Sequence, residues 1–228
     1  MSEIKLSKRL CTAASFVRSG AFVADIGTDH AYLPIYLVQN GHAKGALASD
    51  VNEGPIAKAK ENISRLGLTN IIHTQIANGL EGIEKYPVDD IFICGMGGEL
   101  IARIIDSSKY VKNPRIRLIL QPMTSVYELR EYLSKGFNIV NEEVVIEDGK
   151  IYQIMVAEYD GLSHTYTKEE LELGRLNIEK KSDGYRELLF STIAKKAKRL
   201  SGLRLGGYDT EEIENEIKEL EKLKNDLL

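Results

Sequence analysis

The stretch Phe22-Val23-Ala24-Asp25-Ile26-Gly27-Thr28-Asp29-His30-Ala31-Tyr32 is a short, mostly apolar run that breaks at a glycine and opens into a helical pattern. A strand ending on glycine lets backbone N–H groups and a helix N-terminus approach a ligand closely. In open α/β sheets the ligand lies beyond the carboxyl ends of the strands. This turn therefore marks the crevice around which the rest of the chain is arranged.

Outward from it, apolar runs of strand length alternate with helical patterns. Strands are expected at 22–26, 46–51, 71–77, 90–94 and 117–120, and helices at 31–39, 55–66, from 100 onward, and at 126–133. Asn40-Gly41, Gly67 and Gly136 stand where helix C-caps are needed, and Pro55 stands in a first helical turn. Before the first strand, Leu6, Leu10, Ala13, Ala14 and Val17 fall at helical spacing, predicting an amphipathic helix over 4–18 that starts near Ser7. Two Val- and Ile-rich runs, 137–146 and 151–159, are joined by Glu147-Asp148-Gly149-Lys150, and Asp-Gly is a strong hairpin signal. The chain thus reads as α/β: a Rossmann-like, doubly wound, mostly parallel sheet with an antiparallel terminal hairpin.

A boundary falls near residue 160, dividing a sheet domain (1–160) from a helical arm (161–228). Residues 168 to about 203 and 210–227 read as helices around Gly206-Gly207-Tyr208-Asp209, with a further helix at 168–182. Leu189, Ile193, Leu200 and Leu203 are expected to face Ile213, Ile217, Leu220 and Leu227, as in a short antiparallel coiled coil. Between Arg175 and Arg204 there are nine basic residues against three acids, and the balance reverses after Asp209. One basic helix in an acidic protein either holds a polyanion or forms a salt-bridged face used for dimerisation.

The bulk numbers agree with a globular chain. In 228 residues, 43% are hydrophobic and 28% charged, enough for a substantial core. The formal net charge of −4 argues against a uniformly basic nucleic-acid binder. Cys11 and Cys94 lie far apart in apolar surroundings and read as small core residues, and the four histidines lack ligand spacing, so no metal site is expected. No signal-peptide pattern is present, and no run approaches the roughly 18 apolar residues of a membrane span. The expected compartment is a reduced cytoplasm.

The glycine turn is no P-loop, because no Gly-Lys-Ser or Gly-Lys-Thr follows. It also lacks two of the three glycines of a dinucleotide fingerprint. A nucleoside ligand without a pyrophosphate fits better, and S-adenosylmethionine is one. Asp50 ends the second strand, 23 residues after Gly27, where an acid accepts hydrogen bonds from ribose hydroxyls. Its other reading is a loop carboxylate capping the helix that starts at Asn52-Glu53. Asn78-Gly79 either meets an adenine edge or is simply a turn. Gly95-Met96-Gly97-Gly98, next to the first strand, is a tight turn that also lets backbone approach a flat substrate, with Met96 as a flexible apolar surface. No Gly-x-Ser-x-Gly motif supports a covalent hydrolase.

Leu6-Ser7-Lys8-Arg9-Leu10, Ala24 through Pro34, Ser49-Asp50-Val51-Asn52-Glu53-Gly54-Pro55, Asn78-Gly79-Leu80 and Gly95-Met96-Gly97-Gly98 together resemble the bacterial TrmK-type tRNA methyltransferases. The resemblance implies a class I methyltransferase fold and methylation of N1 of adenine 22 in tRNA by S-adenosylmethionine. It further implies that Asp25, Gly27, Asp29 and His30 line the methionine side of the cofactor, Asp50 and Val51 the ribose and adenine, and Asn78 and Gly79 the adenine edge. Gly95 completes that set, and Arg9 is expected to reach the cofactor carboxylate.

In place of the Asn-Pro-Pro-Tyr motif of many amino-group methyltransferases stands Gly-Met-Gly-Gly, with Met96 and Gly97 facing the substrate. That suits a ring nitrogen whose lone pair is already available. Asp29 or Tyr32 is expected to orient the base or accept the proton its amino group must lose. Lys195, Lys196 and Arg199 on the arm are expected to hold the tRNA backbone. The competing readings are a same-fold methyltransferase acting on a small molecule or protein, and a non-catalytic RNA-binding scaffold.

Overall fold

A computed structural model describes residues 4–227; residues 1–3 and 228, the outer ends of the two expected domains, lie outside the described residues. Strands β1 (Ala21–Ile26), β2 (Ala43–Asp50), β3 (Ile72–Ile76), β4 (Asp90–Gly97), β5 (Arg117–Thr124), β6 (Phe137–Glu147) and β7 (Lys150–Tyr159) form one sheet in the order β3-β2-β1-β4-β5-β7-β6. The pairs among β1 to β5 are parallel, whereas β7 runs antiparallel to both β5 and β6. Strand order therefore reverses between β1 and β4, and the crevice at that switch point is where such sheets bind ligands.

The strands read as nearly continuous apolar runs because both faces are covered. Along each strand alternate residues enter different cores. Phe22, Ala24, Ile26, Ile91, Ile93, Leu118 and Leu120 pack in one cluster; Val23, Phe92, Ile119, Ile154 and Val156 pack in the other. Helices α2 (Tyr32–Gln39), α3 (Glu53–Arg65), α4 (Gly98–Asp106) and α5 (Val126–Leu133) make the crossovers, and the hairpin turns where both Asp148 and Gly149 adopt left-handed φ, 49° and 71°.

The first helix, α1, spans only Lys8–Ala14 rather than 4–18. Its last turns tighten, with Phe16 and Val17 amides bonding to Ala13 and Ala14 carbonyls. Arg18 is then captured by Asp90, whose fully buried carboxylate accepts the Arg18 backbone N–H at 2.8 Å and its Nε at 2.6 Å. An unpaired buried charge there would be costly, so this bond outweighs further helix.

The arm divides further than the periodicity predicts, into α6 (Lys168–Leu173), α7 (Arg175–Lys180), α8 (Asp183–Leu205) and α9 (Glu211–Asn225). Gly174, at φ 91°, breaks the first pair, while Lys181 in the left-handed region and a Ser182 cap start α8. Ion pairs Arg204–Glu214 and Lys196–Glu216, each at 3.0 Å, and a Lys181 Nζ bond to the Asp226 carbonyl give α8 and α9 an antiparallel register. Of the eight expected to face one another, Leu189, Ile193, Leu220 and Leu227 share one cluster, which Val144 of β6 joins, whereas Leu200, Leu203, Ile213 and Ile217 lie outside it. The base of the arm therefore rests on the sheet. At its far end Leu205 is 91% exposed and Tyr208 69% exposed, so the tip has no apolar cover.

Candidate active site

The crevice is built first by the turn after β1. Gly27 takes φ +75°, and the Gly27 and Thr28 amides both donate to the Ser49 carbonyl, at 2.8 and 2.9 Å, tying the turn to β2. His30 and Ala31 also hold positive φ, uncommon for residues with a Cβ. Asn62 of α3 steadies that segment by donating to the His30 carbonyl at 3.1 Å. Beneath the turn, Asp25 is buried and accepts a 2.6 Å bond from Thr28 Oγ1. Burial raises its pKa to about 6, with Asp29 and Asp50 pushing the same way and the Thr28 bond opposing.

Asp29, His30 and Tyr32 lie together at the rim. The Asp29 carboxylate is 3.6 Å from His30 Nδ1, and the His30 and Tyr32 rings meet edge-on at 5.6 Å. Asp50 is the last residue of β2, and its Oδ1 accepts the Asn52 amide at 2.7 Å. The loop role of this residue is thus real for one oxygen. Val51 beside it is 60% exposed, an apolar surface at the crevice mouth. Asn78 and Gly79 follow β3 and line a cleft of about 560 Å³ with Leu100 and Arg103.

The other side is the end of β4, which continues to Gly97 rather than stopping at Cys94. Two glycines here are closely approached, Gly98 by backbone and Gly27 by the movable end of a side chain. A Cβ on Gly98 would stand 2.1 Å from the Ser125 carbonyl oxygen, and one on Gly27 would stand 2.1 Å from Met96 Cε. The Met96 methyl thus lies directly over Gly27.

Arg9 of α1 arrives beside Gly95. Its Nη1 donates to Gln121 Oε1 at 2.6 Å, its Nε is 3.6 Å from Glu147, and its guanidinium lies 5.5 Å from the Tyr152 ring centre. These three partners were not singled out in the sequence. Gln121 carried a signal, a polar residue inside the apolar run Leu118-Ile119-Leu120-Gln121, and it is fully buried. Glu147 and Tyr152 carried none, because only the hairpin brings them to α1. Cys11 and Cys94, expected in the core, are both half-buried, and burial raises the Cys94 thiol pKa.

The arm's candidates stand on the far wall of a second cleft, of about 550 Å³, whose near wall is the turn after β5. Lys195, Lys196 and Arg199 all line it. They differ in what they meet: Lys196 Nζ is 3.0 Å from Glu216 and 3.4 Å from Glu172, whereas among the described residues no carboxylate lies within ion-pair distance of Lys195 or Arg199.

The molecule brings Asp25, Gly27, Asp29, His30, Asp50, Gly95, Met96 and Arg9 around the ends of β1, β2 and β4, whereas Asn78 and Gly79 line the neighbouring cleft with Leu100 and Arg103. Acids there suit hydroxyls and a positive centre, Arg9 suits a carboxylate, and the bare glycine backbones suit close approach, so the residues fit a nucleoside bearing a cationic amino-acid chain. Among the described residues no three His, Cys, Asp or Glu side chains cluster as metal ligands. No helix among them is long and apolar enough to cross a membrane.

Comparison with known proteins gives the same picture. A family model described as a methyltransferase domain matches residues 6–155. The tRNA (adenine(22)-N(1))-methyltransferase of Bacillus subtilis (strain 168) is 44% identical over 171 residues, 72% of each chain. The solved structure of Streptococcus pneumoniae Sp1610 in complex with S-adenosyl-L-methionine superposes with a TM-score of 0.84 at 35% identity, covering 96% of this chain and 99% of that one. M. capricolum TrmK in complex with S-adenosyl-homocysteine superposes with a TM-score of 0.81 at 32% identity, covering 97% and 98%.

Proposed function

The chain belongs to the family of bacterial tRNA (adenine(22)-N(1))-methyltransferases, and from that membership we propose how its crevice and arm divide the work. The protein methylates N1 of adenine 22 in tRNA with S-adenosylmethionine as donor. When bound, that donor supplies a methyl group activated by a sulfonium charge. The observation that carries the reading is the acid-lined crevice between β1 and β4, floored by Gly27 and Gly95.

In this reading Asp50 and Val51 hold the ribose and adenine, and Asn78 with Gly79 meets the adenine edge. Asp25, Asp29 and His30 line the charged chain, and Arg9, held by Gln121 and Glu147, takes its carboxylate. Met96 and Gly97 form the surface on which the target adenine lies. Alignment of the ring nitrogen with the methyl carbon supplies most of the rate enhancement, because the lone pair needs no prior deprotonation. Methylation leaves the ring cationic; the Asp29 carboxylate at the rim takes the amino proton, and Tyr32 orients the base.

Residues 161–228 serve as the tRNA-holding arm, through Lys195 and Arg199, and the tRNA substrate sets the protein in the cytoplasm. Lys196 contributes less, since Glu172 and Glu216 already neutralise it. Incubation with unmodified tRNA and methyl-labelled S-adenosylmethionine, followed by nucleoside analysis and position mapping, tests the whole reading. Label in 1-methyladenosine at position 22 is expected; label elsewhere, or none with the donor bound, overturns it.

A further inference from the structure

The cleft between the turn after β5 and helix α8 adjoins the Gly97-Gly98 backbone at the end of β4. Its near wall begins at Met123-Thr124-Ser125, and this turn touches the Gly97-Gly98 backbone: a Cβ on Gly97 would lie 3.1 Å from Thr124 Oγ1, and one on Gly98 2.1 Å from the Ser125 oxygen. Ser125 holds φ +51°, a conformation that a side chain resists, and this fixes where the turn points. Thr124 and Ser125 thus belong both to the wall of the cleft and to the contacts on Gly97 and Gly98.

The cleft has two kinds of surface. Met123, 45% exposed, with Tyr127, Val126 and Ile151 gives it an apolar and aromatic side. Lys195 and Arg199 give it exposed cations with no carboxylate within ion-pair distance among the described residues, while of its two acids Glu172 is paired with Lys196 and Glu128 stands exposed on the α5 side. Its volume of about 550 Å³ lies within the roughly 300–1,000 Å³ range of small-molecule sites. An aromatic side chain beside exposed cations is the chemistry that holds one unstacked nucleotide, base on the ring and phosphate on the cations.

We propose that this cleft is a second nucleotide subsite, which takes the RNA nucleotide adjoining the target adenine. Its base lies against Tyr127 and Met123, and its phosphate meets Lys195 and Arg199. The inference rests on the tRNA reading above and deepens it. A base drawn into the crevice loses its stack, and a neighbour held at Tyr127 cannot close back over the gap. Tyr127 is then a positioning residue for the reaction, acting through the RNA chain.

The test uses the full-length protein with unmodified tRNA carrying 2-aminopurine on either side of the target position. Wild type, Tyr127→Phe, Tyr127→Ala and the pair Lys195→Ala with Arg199→Ala are compared. Tyr127→Ala is expected to raise the tRNA KM by about tenfold, at the modest end of what one base–aromatic stack contributes. It should also lose the fluorescence change of one flanking 2-aminopurine, which Tyr127→Phe retains. The Lys195/Arg199 pair should raise the same KM and weaken its salt dependence. Affinity for S-adenosylmethionine should be unchanged in every variant. Normal tRNA kinetics and an unchanged fluorescence response in Tyr127→Ala would overturn the subsite while leaving the enzyme assignment intact. Absence of tRNA methylation by the wild type would instead overturn the tRNA reading, and the subsite with it.

Discussion

Arg130 and Glu142 form an ion pair at 2.8 Å with both side chains sealed from solvent, at the joint where the helical arm meets the sheet. Arg130 also donates to the Leu171 and Glu172 carbonyls, at 2.9 and 3.1 Å, and to Gln153 Oε1 at 2.7 Å. Glu142 Oε2 accepts the Leu176 amide at 3.0 Å. One buried charge pair thus connects α5, β6, β7, α6 and α7. Each of the three guanidinium nitrogens donates at least one hydrogen bond, which is the condition under which such a pair is tolerated.

Breaking that pair should loosen the joint. Glu142→Leu or Arg130→Met alone leaves one buried charge unmatched and is expected to lower stability by about 3–5 kcal/mol. Replacing both, Arg130→Met with Glu142→Leu, should recover most of the loss. Urea unfolding followed by circular dichroism reads all three; additive losses in the double variant would contradict the pairing.

Asp50→Ala should weaken binding of S-adenosylmethionine about 10- to 100-fold, the loss of charge-assisted hydrogen bonds worth about 1.5–3 kcal/mol. tRNA affinity should be unchanged. Calorimetric titration of the donor, with a gel-shift on tRNA beside it, separates the two; equal weakening of both would point to misfolding.

Gly27→Ala places a Cβ where Met96 Cε now lies, at a φ of +75° that alanine resists. Donor binding should be abolished. Adding Met96→Ala removes the clash but not the backbone strain, so the double variant should regain only part of the affinity. Full recovery would show that packing alone matters at this turn.

Asp25 sets a pH dependence. Its pKa is about 6 in the folded protein, above the ordinary 3.8, so between those values the folded state holds more protons than the unfolded chain. Stability from this group is therefore greatest below pH 3.8 and declines as pH rises through about 6. A cationic ligand favours the carboxylate, so donor affinity should rise over the same interval, with Asp25 releasing its proton on binding. Titrations near pH 6 in two buffers of different ionisation enthalpy should show proton release. Asp25→Asn should remove it, and a release that persists would assign it elsewhere.

Lys195→Ala and Arg199→Ala should each lower tRNA affinity and reduce the salt slope by about one. Lys196→Ala should change the slope less but cost stability, because Glu172 and Glu216 lose their shared cation. Filter binding between about 50 and 200 mM salt distinguishes them. Equal slopes for Lys195→Ala and Lys196→Ala would contradict the different roles.

The alternation of apolar runs and the Asp-Gly turn made the sheet, its hairpin and its crevice legible in advance, since period and turn chemistry are local properties. Gly27, Asp50 and the Gly95–Gly98 turn were legible for the same reason: each stands at a strand end. Element limits were less so. Arg18 ends α1 early because Asp90, 72 residues away, needs its charge, and the arm breaks at Gly174 because Glu142 and Arg130 press against it.

Local sequence thus determined which segments are strands and, through the glycines and acids that follow their apolar runs, which residues ring the crevice. Only the tertiary structure decided that Gln121, Glu147 and Tyr152 hold Arg9, that Lys196 is neutralised while Lys195 and Arg199 are not, and that the arm shares a buried charge with the sheet. The reason is physical. Backbone conformation is set by neighbours along the chain, whereas the fate of a charge is set by whatever opposite charge the fold brings within a few ångströms of it.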